Sequence, residues 1–411
     1  IKTANFTAAS GEGYFCNTSG GAFTLTLPSS PSVGDIVALK DYASNFATAN
    51  LTIGRNGSNL NGAAADSTRN TDNESLTLVY ADATKGWLSV EEGTGFVGEA
   101  FITASGGTET TSGNDKIHTF TGPGSFTVCS AATCAANNLV SYLVVAGGGG
   151  GGGDYGAGAG AGGYREVVSP SSPYTGSPLN GYPSSPNRVT VSATSYPITV
   201  GSGGNKGTRD TLGTDGSASV FSTITSAGGG RGGMQVPGSA PSYNGGPGGS
   251  GGGATYDYDG TGNTTVGSGN TPPTTPAQGS NGGDGFPTGS GGHAAGGGGG
   301  AGAVGASVPS GDSAASGAGG NGVTSEITAS PVARGGGGGG AGGGGTHGQD
   351  YNPGPGGTGG GGAGAPDSSS GVGGAGTTNT GGGGGGGNLW TSSSCGGNGG
   401  SGIVVIRYKF Q

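Results

Sequence analysis

Tyr142-Leu-Val-Val-Ala146-Gly147-Gly-Gly-Gly-Gly-Gly-Gly153 joins an apolar stretch directly to an unbroken run of glycine. The apolar half reads as a buried strand. The glycine half reads as no ordinary element, because glycine costs about 0.5–1 kcal/mol relative to Ala inside a helix or strand. Outward from this junction the chain divides sharply. Of its 108 glycines only 17 precede residue 147, and none follows residue 402. Between those points glycine runs recur at 228–233 (interrupted by Arg231), 245–253, 296–300, 335–345, 356–362, 381–387 and 396–400, separated by segments rich in Ser, Thr, Asn, Pro and Tyr. The chain then closes on Ile403-Val-Val-Ile406-Arg-Tyr408-Lys-Phe410, a second apolar strand.

Composition alone reads residues 147–402 as a flexible linker. The apolar strand on each side argues otherwise, since a disordered tail has no need of a returning strand. An ordered form must be held by backbone groups, because Leu, Ile, Val and Phe together make only 58 of 411 residues. The extended helix with three residues per turn rises about 3.1 Å per residue and leaves its N–H and C=O groups pointing sideways. Neighbouring glycine helices of this kind, polyglycine II, bond laterally, and a seven-residue run spans about 22 Å. Collagen is disfavoured because the glycines keep no strict period of three along the chain.

Residues 1–95 read as all-β. Phe23, Leu25 and Leu27 alternate with Thr24 and Thr26, and short strands follow at 36–39, 51–53, 76–80 and 87–90. Gly34-Asp35, Asn56-Gly57, Asn61-Gly62 and Lys85-Gly86 punctuate them. Residues 96–146 read as a β bridge, with strands at 117–120 and 125–128 around Gly122-Pro-Gly124. The expected fold is therefore mainly β plus polyglycine II. A small N-terminal β-sandwich or barrel (1–95) and the bridge (96–146) precede a bundle of extended glycine helices with loops at its ends (147–402) and a closing strand (403–411).

With charged residues at 9% and a net charge of −9, the chain has no basic footprint for nucleic acid. It has no apolar stretch long enough for a membrane span. It begins at Ile1, as expected of a processed product or a fragment. Cys129 and Cys134 either pair locally or stay reduced, and four cysteines (with Cys16 and Cys395) in 411 residues are too few for a disulfide scaffold. His118, His293 and His347 lack ligand spacing and read as loop or surface residues, so no metal is expected. Glycine abundance makes dinucleotide and phosphate-loop patterns trivial, and Gly248-Gly-Ser250-Gly-Gly252 lacks a strand-to-helix context. No catalytic residue and no cofactor is expected. Asp257 and Asp259 offer the one paired-carboxylate alternative, a glycan-cleaving site. Ice binding needs regular Thr rows, which are not evident.

Several stretches resemble the glycine-rich domain of bacteriophage tail fibres and adhesins. They are His118-Thr-Phe-Thr-Gly-Pro-Gly-Ser-Phe-Thr-Val128, the 142–149 junction, Gly160-Ala-Gly-Gly-Tyr164-Arg165, Pro197-Ile-Thr-Val-Gly-Ser-Gly-Gly204 and Ser401-Gly-Ile-Val-Val-Ile-Arg-Tyr408. The N-terminal Phe6-Thr-Ala, Leu25-Thr-Leu-Pro28, Leu51-Thr-Ile-Gly-Arg-Asn-Gly57 and Gly86-Trp87 are similar to β modules of marine phage fibres. The resemblance implies a non-enzymatic virion protein, extracellular in action and often homotrimeric. Its partners would be other tail or virion proteins and a host cell-surface glycan or outer-membrane protein. The alternative is a purely structural fibre, capsid decoration or extracellular filament subunit without receptor binding. The long inserts 165–197 and 254–292 depart from the family pattern.

Recognition is expected in the segments between glycine runs, which vary without disturbing the scaffold. Tyr243, Tyr256, Asp257, Tyr258, Phe286, Tyr351 and Trp390 lie in or beside them. Flat rings stack on sugar faces and anchor protein interfaces, or else they cover backbone at the bundle ends. Tyr164 and Tyr408 sit in framework motifs and read as structural.

Overall fold

The computed structural model describes residues 1–93, 100–235, 244–255, 265–288, 292–309, 315–343, 352–366, 371–388 and 395–411. It is mainly β. Among the described residues the helical segments are two single 3-10 turns, Ala135–Asn138 and Ser185–Asn187. The chain separates into two compact units, Ile1–Glu99 and Ala100–Gln411.

In the first unit the strands are β1 (Phe6–Thr7), β2 (Glu12–Cys16), β3 (Phe23–Thr26), β4 (Ile36–Asp41), β5 (Leu51–Gly54), β6 (Ser67–Arg69), β7 (Ser75–Asp82) and β8 (Gly86–Gly93). They form two four-stranded sheets, β1-β3-β5-β6 and β2-β4-β7-β8. The chain alternates between the sheets, so β1, β3 and β5 stack parallel in one while β2 and β4 stack parallel in the other. Neither sheet closes, which rules out the barrel form of the sequence expectation. Phe23, Leu25, Leu27, Val37, Leu39, Leu51, Ile53, Leu78 and Trp87 point into one shared core, because period-two alternation puts every second side chain on the same face. Gly86 (φ +69°) fits here as glycine alone, since a Cβ would stand 1.9 Å from the Asn59 carbonyl oxygen.

The second unit is built on two large sheets, two small ones and a glycine array. Its strands begin with β9 (Thr103–Ser105), β10 (Thr108–Ser112), β11 (Asp115–Phe120), β12 (Gly124–Ser130), β13 (Leu139–Val145) and β14 (Tyr164–Val167). They continue with β15 (Val189–Thr190), β16 (Ser195–Thr199), β17 (Ser219–Phe221), β18 (Ile224–Ser226), β19 (Phe286–Thr288) and β20 (Gly292–Ala294). The last are β21 (Val323–Ser325), β22 (Val332–Arg334), β23 (Gly342–Gly343) and β24 (Ile403–Lys409). The small sheets are β19-β20-β23 and β21-β22. The C-terminal β24 is not an edge: it lies between β11 and β13 in the order β10-β11-β24-β13-β14. This explains why both strands read as continuous apolar runs, for each is buried on both faces. Tyr142, Val144, Val404, Ile406 and Tyr408 meet Phe126 and Phe221 of the sheet β18-β17-β16-β12-β9. Leu143, Val145, Ile403 and Val405 face the other way, onto Tyr164, Ala301, Val323 and Ile327.

One sequence expectation needs correction here. His118 is fully buried on β11 rather than exposed. Its Nδ1 lies 2.7 Å from the Gly106 carbonyl oxygen and its Nε2 3.0 Å from the Tyr408 hydroxyl. The backbone acceptor makes Nδ1 the donor, so Nε2 accepts from Tyr408. His293 belongs to β20, and His347 lies outside the described residues. All four cysteines are unbridged, Cys129 and Cys134 exposed, Cys16 and Cys395 buried.

Candidate functional site

Between β13 and β24 the chain passes back and forth in glycine runs whose backbone groups bond to one another. Gly147, Gly148 and Gly149 donate to three different neighbours, the carbonyls of Ser217, Gly400 and Gly160. The next three repeat the sequence of directions: Gly150 donates to Thr214, Gly151 to Gly397 and Gly152 to Ala157. Their carbonyls accept from three more runs, with Gly229, Gly204 and Gly384 on residues 147–149 and Gly232, Gly207 and Gly387 on residues 150–152. One run is thus bonded to six others, at 2.8–3.1 Å, with a period of three residues. The run 335–342 behaves the same way: Gly338 and Ala341 donate to Ala159 and Gly156, Gly339 and Gly342 to Gly362 and Ala365, Gly337 and Gly340 to Gly320 and Gly317.

Such proximity excludes side chains at the glycine positions, while buried Ala157, Ala159, Ala161 and Ala341 have room for a single methyl group. A Cβ on Gly150 would lie 1.9 Å from the Asn205 carbonyl oxygen, and one on Gly386 would lie 1.8 Å from that of Gly156. At the perimeter some positions are free of that restriction and carry side chains. Gly201, Gly204 and Gly207 are buried while Ser202, Asn205 and Thr208 are exposed; Gly354 and Gly357 are buried while Asn352, Pro355 and Thr358 are exposed.

The array has two ends. At the near end it continues into the sheet, where Gly163 donates to Ala227, Tyr164 to Gln278, Gly162 to Gly381, Gly381 to Ser401 and Gly402 to Gly201. The turns on this side are committed to the sheet. Ser219 and Ser226 donate to the carbonyls of Val145 and Val144 at 2.8 and 2.7 Å, and Gln278 Oε1 accepts from Ala227 N. The β21–β22 turn is held from below, since Arg407 Nη1 donates to the carbonyls of Glu326 and Ile327. At the far end Gln235 donates to Asp154, Asn388 to Gly371, and Ser316 to Asn352, while Thr208 bridges Cys395 and β20 pairs with β23.

Phe286 stands at this far end, half-buried at the start of β19 and paired with Ala294. Tyr243, Tyr256, Asp257, Tyr258, Tyr351 and Trp390 lie outside the described residues, as does Asp259. The described residues that flank them, such as Gln235, Thr255, Gly343, Asn352, Asn388 and Cys395, are the last of the far-end rows. Tyr164 and Tyr408 are buried framework residues.

Two polar centres escaped the sequence reading. Near the sheet, buried Glu166 accepts from the hydroxyls of Tyr164 and Tyr174, from Ser177 N and from the Ser325 hydroxyl. Burial next to this carboxylate pushes the Tyr174 phenol well above its ordinary value. At the far end Asp154 is buried with its Oδ1 unpartnered. Burial pushes its carboxyl up to about 6, with Arg209 opposing the shift and Asp210 adding to it. Neither residue lies in a motif; only the turn Gly153-Asp154-Tyr155-Gly156 between two glycine runs marked Asp154 as fixed in position. Among the described residues no group of three His, Cys, Asp or Glu side chains is placed to hold a metal ion.

A family model described as a glycine-rich domain matches residues 121–409. The chain belongs to the glycine-rich domain family. The match begins just before β12 and ends with β24, so it takes in β12 to β24 and the array, while β9, β10 and β11 precede it. It carries no phage or tail-fibre assignment. No curated protein matches the chain.

Proposed function

We propose that the glycine runs are polyglycine II helices packed into a rigid block, and that this block serves a non-enzymatic adhesin of the phage tail-fibre type. Its far end would present variable segments to a host cell-surface glycan or outer-membrane protein. The helical assignment rests on the threefold register: amides 147, 148 and 149 bond in three directions, and 150, 151 and 152 repeat them. A helix of three residues per turn has that symmetry, and a pleated strand, with two directions, does not.

The observation that carries the functional reading is that the described near-end turns are committed to the sheet. Near-end turns are tied to the sheet by Ser219, Ser226, Gln278 and Arg407. The rows at the other end stop at residues flanking Tyr243, Tyr256, Asp257, Tyr258, Tyr351 and Trp390, with Phe286 among them. A rigid backbone scaffold whose rows are joined by aromatic-bearing sequence is suited to recognition, in which rings stack on sugars or fill protein pockets. As a fibre protein the chain would work in the virion as a homo-oligomer, a trimer by resemblance, alongside other tail proteins.

The test is adsorption of purified protein to a panel of bacterial cells and their extracted surface polysaccharides. Replacing segments 236–243, 256–264 and 344–351 by Gly-Ser linkers should abolish binding and leave the melting transition in place. Binding that survives all replacements, or no binding to any surface, would favour the structural fibre or filament instead.

A further inference from the structure

A regular array of laterally bonded backbones has an intrinsic hazard. Each outermost run presents unbonded N–H groups in the same spacing as the interior, so a second copy could extend it, as happens at bare sheet edges. The perimeter here is different. Asn398 Oδ1 accepts from Lys206 N at 2.9 Å, Asn321 Oδ1 from Thr358 N at 3.0 Å, Asn281 Oδ1 from Gly269 N at 2.8 Å and Asn244 Oδ1 from Thr265 N at 3.0 Å. Thr214 does the same for Asn205 N, Asp215 for Arg231 N and Ser307 for Asp284 N. In every case the acceptor is a short side chain on one run and the donor is a backbone amide of the adjacent run. Elsewhere on the perimeter Pro355 and Pro366 are exposed and have no N–H to offer.

We propose that these side chains terminate the array: each replaces the carbonyl of a missing neighbour and so keeps a second copy from adding laterally. An outward Cβ is free of the clash that forbids it inside, and an oxygen one or two bonds further reaches back to the next amide. Asn fits best, since its Oδ1 lies at that reach without charge. The glycine-rich unit is thereby a closed block, and any oligomer it joins is made through other surfaces.

The test uses the full chain with Asn244, Asn281, Asn321 and Asn398 changed together to Gly, and a companion with the same four changed to Asp, which keeps an acceptor. Sedimentation velocity over a range of concentrations should show the glycine variant forming larger species that grow with concentration. Wild type and the aspartate variant should keep one common distribution. Amide exchange at Lys206, Thr265, Gly269 and Thr358 should speed up by roughly two- to tenfold in the glycine variant, reflecting one lost hydrogen bond each. Faster exchange with an unchanged distribution would overturn the proposal, as would unchanged exchange. If the fourfold glycine variant fails to fold, the single N398G variant is read by the same two measurements and the same criteria.

Discussion

Arg407 holds Asp115 through two nitrogens on one oxygen, with Nε at 3.0 Å and Nη2 at 2.7 Å from Oδ2. The pair is buried and joins the start of β11 to the last strand of the chain, across everything the glycine array contains. Arg407 also lies 5.1 Å from the Tyr174 ring centroid and reaches the β21–β22 turn, so one guanidinium fastens three segments distant in sequence.

Removing one partner of a buried pair leaves the other charge uncompensated. Asp115→Ala is therefore expected to destabilise the second unit by about 3–5 kcal/mol. Urea denaturation followed by circular dichroism, with amide exchange on β24, measures it. An unchanged midpoint would mean that Arg407 finds another partner.

His118 and Asp154 predict opposed pH dependences. Burial lowers the His118 pKa, so the fold prefers the neutral ring: its contribution is complete above the unfolded value of about 6.5 and is lost as pH falls below it. Asp154 is raised from 3.8 to about 6, so the fold prefers the protonated acid: its contribution is complete below about 3.8 and is lost as pH rises to 6. Melting temperature against pH should therefore fall less steeply below pH 6.5 in His118→Gln. Asp154→Asn should melt above wild type at pH 7 and level with it below pH 4. Coincident profiles for wild type and either variant would refute that assignment.

Interior glycines should not tolerate a methyl group. Gly386→Ala places Cβ 1.8 Å from a backbone oxygen and is expected to cost about 1–3 kcal/mol or more, as overpacking does. Gly122→Ala has open space within 4 Å of its Cβ and is expected to be neutral or stabilising by about 0.4–1 kcal/mol. Thermal melts of the two variants make the comparison, and equal effects would contradict backbone-on-backbone packing.

Glu166 supplies a graded test of the near-end centre. Tyr174→Phe removes one donor to a buried carboxylate and should cost about 1.5–3 kcal/mol. The loss should appear as faster amide exchange in β21 and β22, which the Ser325 bond to Glu166 ties to β14.

Thiol accessibility should divide the cysteines by position. Cys129 and Cys134 are exposed and should take an alkylating reagent in the folded protein, as mapped by peptide mass spectrometry. Cys16, whose thiol is pushed up to about 12 by burial and by Asp41, should react only on unfolding.

The strands were legible because period-two alternation and turn residues are local signals. Phe23, Leu25 and Leu27 show their buried face in the sequence itself. The buried state of His118 was not legible, since it depends on Tyr408, which stands 290 positions away. Likewise Glu166 looks like any strand carboxylate until Tyr174, Ser177 and Ser325 converge on it. The period of three, absent from the chain as a whole, is present run by run at the perimeter, where buried Gly201, Gly204 and Gly207 alternate with exposed Ser202, Asn205 and Thr208. It was obscured because interior runs, with glycine or an occasional buried Ala at every position, break the pattern.

By itself the sequence determined where side chains are absent: the runs 147–153, 335–343 and 381–387 have nothing but backbone and an occasional Ala to pack with. That follows from composition, which is a local property. Only the tertiary structure decided which runs are enclosed by six neighbours, which end of the array meets the sheet, and that β24 returns to the middle of that sheet. Glycine amides are chemically identical, so no residue type specifies their partner. Register is set instead by the few side chains that differ, through β13, β24 and the asparagines at the perimeter.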